Sequence, residues 1–229
     1  MTHSSFPVQP DRPSYPAAEA GRLVGLTASR VRRWLAGYGY SYGDAVRHQP
    51  PVLRRGETAG SYASFLDLVD LLFVKRFLDD GVSLQKVRRA LDEAHEILGT
   101  SHFAKQAFFT DGSNIYLEVR DEGEAILELL SGGQWVIAPV IRQLATEIDF
   151  GSPEGLARRW FPLGRNRPIV LDPFVSFGAP TVVGRGVKTA NVHDLFVAEN
   201  EKVAAVRAWW DLTEGEVEAA VEFERRLAA

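Results

Sequence analysis

The chain has 229 residues, no cysteine, 45% hydrophobic and 24% charged residues, and a formal net charge of -4. That composition is ordinary for a globular protein; it excludes a disulfide scaffold and a thiolate metal site, and the lack of an apolar run long enough to span a bilayer argues against a membrane protein. The negative total excludes nucleic-acid binding by bulk positive charge, yet the charge is segregated: Arg22 to Arg55 hold seven arginines against the single acid Asp44, whereas from Ala190 onward nine acids face four bases.

Residues 1–14 are rich in proline and polar side chains and lack an apolar signal-peptide core, so they read as a flexible arm on a cytoplasmic protein. From Ala17 to Tyr38, AAEAGRLVGLTASRVRRWLAGY reads as two short helices joined by a tight turn. Ala18, Leu23 and Val24 give the first helix an apolar side, and Gly25 with Leu26 makes the break. Thr27 is a natural N-cap, because its hydroxyl can accept an orphan backbone N–H. Val31, Trp34 and Leu35 then share one face at helical spacing, Arg30, Arg32 and Arg33 project from the other, and Gly37 or Gly39 can close the helix. This is the sequence form of a helix-turn-helix, with Thr27, Ser29, Arg30, Arg32 and Arg33 as candidate DNA contacts. The alternative is a helical hairpin with a solvated basic face.

Residues 39–60, rich in Gly, Pro and Tyr, read as a β-hairpin wing that could lay Arg47, Arg54 and Arg55 along a phosphate backbone, or as a surface loop. Ser64 caps FLDLVDLLFVKRFLDD, which is apolar on most of its circumference and is expected to be buried. Ser83 opens a further helix to about Leu98, where Leu84, Val87, Leu91, Ala94 and Leu98 recur at steps of three and four. This seam and the 65–78 helix are the candidate contacts of a homodimer; packing onto the domain's own core explains the seam equally well.

From Phe103 the texture turns β-rich. AFFT, Asp111-Gly112 and NIYLEV predict a hairpin, AILELL and QWVI further strands, and VIRQLATEI a helix followed by a short strand to Phe150. After Trp160, PIVLDPFVSFGAPTVVGRGVKT predicts two short strands around Gly178-Ala179-Pro180 and a turn at Gly184-Arg185-Gly186. Helices are expected at 189–198 and 201–209, and Thr213 with Glu216 forms a capping box for a last helix to about Leu227. The expected fold class is α+β: an arm (1–14), a winged helix-turn-helix (15–101), a small β-rich middle region (102–160) and a winged-helix-like C-terminal domain (161–229).

Enzymatic and metal chemistry find no support. The five histidines are scattered, with no carboxylate at ligand spacing, and there is neither a Gly-x-Ser-x-Gly elbow nor a P-loop. No cofactor is expected. Trp209-Trp210 is a candidate partner anchor.

Two resemblances rest on these residues. Residues 15–98 resemble the MerR-type winged helix through AAEAGRLVGL, the VRRW segment in place of Leu-Arg-Tyr-Tyr, and Tyr62 leading into FLDLVDLLFVKRFLDDGVSLQKVRRAL. The long coiled coil and cysteine-lined sites of MerR metal sensors are absent, so metal sensing is not carried over. Residues 168–229 resemble the domain-of-unknown-function 433 family, found in many bacterial antitoxins, through Asp172-Pro173, Gly178-Ala179-Pro180-Thr181-Val182-Val183-Gly184, Thr189 and Glu216-Val217-Glu218-Ala219-Ala220. Together they resemble VapB-type antitoxins. The resemblance implies a homodimeric autorepressor that binds operator DNA and neutralises a PIN-like ribonuclease toxin, for which Trp209, Trp210, Phe223, Arg225 and Arg226 are the candidate contacts. The alternative readings are a MerR-like regulator whose middle domain senses a small molecule, with no toxin, and an enzyme using the middle or C-terminal domain.

Overall fold

The computed structural model describes residues 10–12, 14–53, 62–98, 102–104, 143–144, 146–151 and 155–228. The hairpin and strands expected between Phe103 and Ile137 therefore lie outside the described residues, apart from Phe103 and Ala104. The chain divides into two units, one comprising Pro13–Ala145 with Phe150–Ala157 and the other Met1–Arg12, Thr146–Asp149 and Arg158–Ala229.

In the first unit, β1 (Tyr15–Pro16) leads directly into α1 (Ala17–Val24), and β1 pairs antiparallel with β4 (Tyr62–Ala63). Ala17, Ala20, Gly21, Leu23 and Val24 form the buried side of α1. Ala18, expected on that side, is exposed, because at 100° per residue it falls outside the stripe that Ala17, Ala20, Gly21, Leu23 and Val24 form. Gly25 ends the helix in the left-handed region (φ 73°, ψ 40°), and α2 (Ala28–Ala36) begins after Thr27, whose Oγ1 accepts the Arg30 N–H at 3.2 Å. Val31, Trp34 and Leu35 are buried as their spacing requires. The Trp34 carbonyl accepts the N–H groups of Val52 and Leu53 at 2.8 and 3.1 Å, which ties the end of α2 to the strand exit of a hairpin, β2 (Tyr38–Tyr42) with β3 (Ala45–Gln49).

Helix α3 (Phe65–Asp79) starts with a complete capping box: Ser64 Oγ accepts the Asp67 N–H at 3.0 Å and Asp67 Oδ2 accepts the Ser64 N–H at 2.6 Å. Every residue from Phe65 to Val74 is buried. Each such Leu, Val or Phe contributes about 1.5–3 kcal/mol on burial, so α3 is the centre of this unit, with α1, α4 (Leu84–Leu98) and β4 packed on it. This corrects the expectation that α3 offers a dimer contact: its faces are consumed inside one copy. The seam on α4 likewise turns inward at Val87 and Leu91; the side chains of Ala94 and Leu98 fall outside the described set.

Two carboxylates are buried on α3, Asp67 in the capping box and Asp70 in mid-helix. Asp70 is fully buried; its Oδ1 accepts the Ala104 N–H at 2.8 Å and its Oδ2 lies 2.6 Å from His102 Nδ1. Burial pushes its pKa up, the His102 contact pulling the other way. Phe103 stacks on Phe73 at 5.1 Å, and the Ala104 carbonyl accepts the Ala157 N–H at 2.8 Å. Asp70 thus fastens the segment leaving α4 to the middle of α3.

The second unit is built on a four-stranded sheet ordered β5 (Ile148–Phe150), β6 (Ala157–Trp160), β7 (Ile169–Leu171), β8 (Pro180–Val182). The strand ending at Phe150 and the two strands flanking Gly178 are where the sequence places them. The strand at Ala157–Trp160 has no sequence signal, because Arg158 and Arg159 interrupt its apolar pattern. Arg159 and Arg165 both pair with Asp149, and Arg165 also donates to the carbonyls of Thr146 and Ile148 at 2.8 Å each. Three helices follow: α5 (Thr189–Ala198), α6 (Val203–Trp210) and α7 (Glu214–Ala228). Val217, Ala219, Ala220, Val221 and Phe223 are the buried face of α7. Thr213 and Glu216 make the expected capping box, with Glu216 Oε2 accepting the Thr213 N–H at 2.7 Å. Desolvation works against ionised Glu216, but the two Thr213 hydrogen bonds and the Arg185 guanidinium outweigh it and hold its pKa below the ordinary 4.5.

The Asp70 geometry yields a prediction. Asp70→Ala leaves the Ala104 N–H buried without a partner and should cost about 1–3 kcal/mol in urea unfolding at unchanged m-value. Asp70→Asn keeps an acceptor for that N–H and an N–H for the ring nitrogen of His102, so it should lose less than half as much.

Candidate nucleic-acid interface

Helix α2 is only nine residues long, so its position is set by its ends. At the front, the Leu26 N–H donates to the Gly21 carbonyl at 2.7 Å and closes the turn from α1. A Cβ on Gly21 would lie 2.4 Å from the Leu26 carbonyl oxygen, so this close approach is open only to glycine. At the back, Gly37 takes φ 72° and hands the chain to the hairpin. Between those ends one face is locked into the core and the other stands clear. Thr27, Ser29, Arg30, Arg32 and Arg33 are all exposed.

At 100° per residue, Ser29 and Arg33 lie opposite the buried face, while Arg30 and Arg32 fall on opposite flanks. The structure separates them accordingly. Thr27, Ser29, Arg30 and Arg33 line a polar groove of about 430 Å³, together with Gln85 and Arg88 from α4. Arg32 does not line it. Arg88 is positioned by an Nη2 hydrogen bond to the Pro50 carbonyl at 3.0 Å.

The hairpin projects as a two-stranded ribbon with both faces in solvent. Tyr38, Tyr40 and Tyr42 share one face at the strand period of two, and Tyr42 is 62% exposed. The arginines are laid over these rings. Arg33 lies 5.3 Å from the Tyr38 centroid, and Arg47, which sits opposite Tyr40 in the register, lies 4.2 Å from Tyr42. Stacking of this kind orients a guanidinium without neutralising it. Among the described residues, Arg30, Arg33 and Arg47 make no ion pair, so their charge is available to a polyanion. Arg54 and Arg55 fall outside the described residues.

Sequence reasoning misses Gln85, Arg88 and the tyrosine stripe. Gln85 and Arg88 flank the apolar seam of α4 three residues apart, which is a legible signal for a shared outward edge. The tyrosines alternate along Tyr38–Tyr42, also legible, but aromatic alternation more often marks a core face than an exposed one.

The candidate toxin contacts divide differently. Trp209 is 68% exposed on α6 and Trp210 is half-buried beside it. Phe223 is 3% exposed and belongs to the buried face of α7, so it has no surface to offer; this corrects its place among the contacts. Arg225 is committed to Glu201 at 2.7 Å and lies 5.7 Å from the Phe196 ring centroid, whereas Arg226 is exposed at the end of α7.

Residues 13–91 match the family described as "Putative DNA-binding HTH domain". This part of the chain folds as a helix-turn-helix, α1 and α2 joined by a tight turn. The chain is similar to "Putative antitoxin VapB45" of Mycobacterium tuberculosis, at 27% identity over 195 residues covering 80% of this chain and 82% of that protein. It is also similar to the "Uncharacterized HTH-type transcriptional regulator Rv1830" of the same species, at 33% identity over 100 residues, 43% of each. The crystal structure of Rv2018 from Mycobacterium tuberculosis shares the fold, with a TM-score of 0.67 at 23% identity over 92% of this chain and 98% of that one. Among the described residues no group of acidic residues and histidines is placed to hold a metal, and no helix is long and apolar enough to cross a membrane.

The turn between α1 and α2 can be tested directly. Gly21→Ala must push the Leu26 carbonyl away and should lower stability by about 1–3 kcal/mol in thermal unfolding. Gly215→Ala, in the first turn of α7 with open space around its Cβ, should be neutral or slightly stabilising.

Proposed function

We propose that this chain is a homodimeric antitoxin that binds its operator through a MerR-like winged helix, represses its own operon and neutralises a PIN-like ribonuclease. The observation that carries the DNA half is a set of guanidiniums along one surface with no carboxylate partner among the described residues: Arg30 and Arg33 on α2, Arg88 on α4 and Arg47 on the β2–β3 hairpin. Helix α2 is the reading helix, with Ser29 and Arg33 facing base edges from its exposed side. The hairpin is the wing, with Arg47 and the tyrosines against the sugar-phosphate backbone. Arg32, on the far flank, meets a phosphate rather than a base.

The antitoxin half is supported by the name of the relative that spans most of this chain and by the exposed indole of Trp209. Arg225 is already neutralised by Glu201, which disfavours an arginine plug in a carboxylate-lined nuclease site. The toxin-facing surface therefore centres on Trp209, with the domain-of-unknown-function 433-like unit as its platform. Burial of one exposed indole is the usual size of an interface anchor.

Anisotropy titrations against duplex from the region upstream of the gene test the first half. Log affinity should fall linearly with log salt, and Arg33→Ala with Arg47→Ala should weaken binding and shrink the slope by roughly 0.9 for each phosphate that is no longer neutralised. An unchanged slope removes the hairpin from the interface. For the second half, Trp209→Ala should release the activity of a co-purified PIN-like nuclease at equal stoichiometry, and Arg225→Ala with Arg226→Ala should leave it silenced. The reverse pattern restores the arginine plug.

A further inference from the structure

The loop joining β7 to β8 holds an aromatic side chain in water by force. Ser176, Phe177 and Gly178 take successive φ values of 50°, 59° and 81°. Left-handed backbone is unfavourable for any residue with a Cβ, so two of these three positions are strained. The loop is nevertheless clamped. Asp172 Oδ1 accepts the Phe174 N–H at 2.9 Å, the Asp172 carbonyl accepts the Val175 N–H at 2.9 Å, the Gly178 N–H donates to the Val175 carbonyl at 3.0 Å, and Ser176 Oγ donates to the Gly186 carbonyl at 3.1 Å. The outcome is a Phe177 side chain that is 85% exposed on a rigid turn, with Phe174 half-exposed beside it. The ordering entropy of such a side chain's backbone is already lost before any partner arrives, which is the condition for an efficient anchor.

The same unit carries an unfilled counterpart. A groove of about 500 Å³ between α5, α6 and α7 has Phe196, Val203 and Val221 on its floor and Glu218, Glu222 and Arg226 on its rim. Much of the charge around it is already paired: Glu222 with Arg167, and neighbouring Arg225 with Glu201. A groove with an apolar floor accepts an apolar side chain rather than a charged one. Its rim keeps Glu218 and Arg226 without an ion pair among the described residues. Glu218 is complementary to Arg158, which also makes no ion pair among them and whose guanidinium lies 5.7 Å from the Phe174 centroid.

We infer that a second copy of this chain inserts Phe177 into this groove, reciprocally, so that the C-terminal unit is the dimerisation module. A two-fold arrangement fills both grooves and closes the assembly, whereas a one-way contact would leave a loop open at one end and a groove open at the other. With α3 consumed in its own core, this gives the dimer of the proposed function a surface; it rests on that reading only for the dimer, and is read by mass, so it stands or falls apart from DNA binding.

Sedimentation equilibrium of the full chain at micromolar concentration tests it. The wild type should be a closed dimer. Phe177→Ala and Val203→Glu should each weaken self-association by at least about tenfold, with circular dichroism and binding to a single half-site duplex unchanged. An equimolar mixture of the two variants should regain dimers that neither forms alone, because one intact loop then meets one intact groove. A monomeric wild type, open-ended assemblies, variants that stay dimeric, or two monomeric variants that do not complement would each overturn it. Dimeric variants that have lost only a heterologous protein partner would assign Phe177 to that partner instead.

Discussion

Helix α3 carries apolar side chains around almost its whole circumference, and a helix of that kind is stable only with packing on every side. This requirement organises the first unit. Helix α1 and strand β4 cover one part of it, α4 another, and Phe103 is stacked on Phe73 to close a third. Helix α1, held against α3, in turn carries α2. The short α2 touches the core through Val31, Trp34 and Leu35, so its other face is left to solvent. Burial of Asp70 carries a polar cost that the backbone N–H of Ala104 and the contact with His102 offset only in part.

The exposed basic surface depends on that rigidity. A guanidinium on a free surface samples many rotamers, and ordering it on binding costs free energy. Here Arg33 and Arg47 rest on tyrosine rings, and Arg88 is bonded to the Pro50 carbonyl. The charges are arranged before a ligand arrives. The net charge of the whole chain is negative, yet Arg30, Arg33 and Arg47 are exposed and make no ion pair among the described residues.

In the second unit, charge serves the fold first. Asp149 gathers Arg159 and Arg165, Glu222 takes Arg167, Glu216 takes Arg185 and Glu201 takes Arg225. These pairs are mostly at the surface and individually contribute little. Their effect is to use up charge, and what they leave conspicuous is apolar: Trp209, Phe177 and the groove over Phe196.

Several features are fixed by local sequence alone. The caps at Thr27, Ser64 and Thr213, the positive-φ stops at Gly25 and Gly37, and the inward positions Val31, Trp34 and Leu35 all follow from interactions within a few residues, where hydrogen-bond donors and helical period leave few alternatives. The exposure of Arg30, Arg32 and Arg33 follows from the same period. Tertiary structure decided what period cannot. It placed Gln85 and Arg88 beside α2 although they are distant from it in the chain, buried Phe223 while exposing Trp209, and turned the seam of α4 inward rather than toward a second copy. It also put Asp70 into the core and lifted Phe177 out of it, against the hydrophobicity of each. A side chain's burial depends on what the rest of the chain packs against it, and its nearest neighbours in sequence carry no record of that.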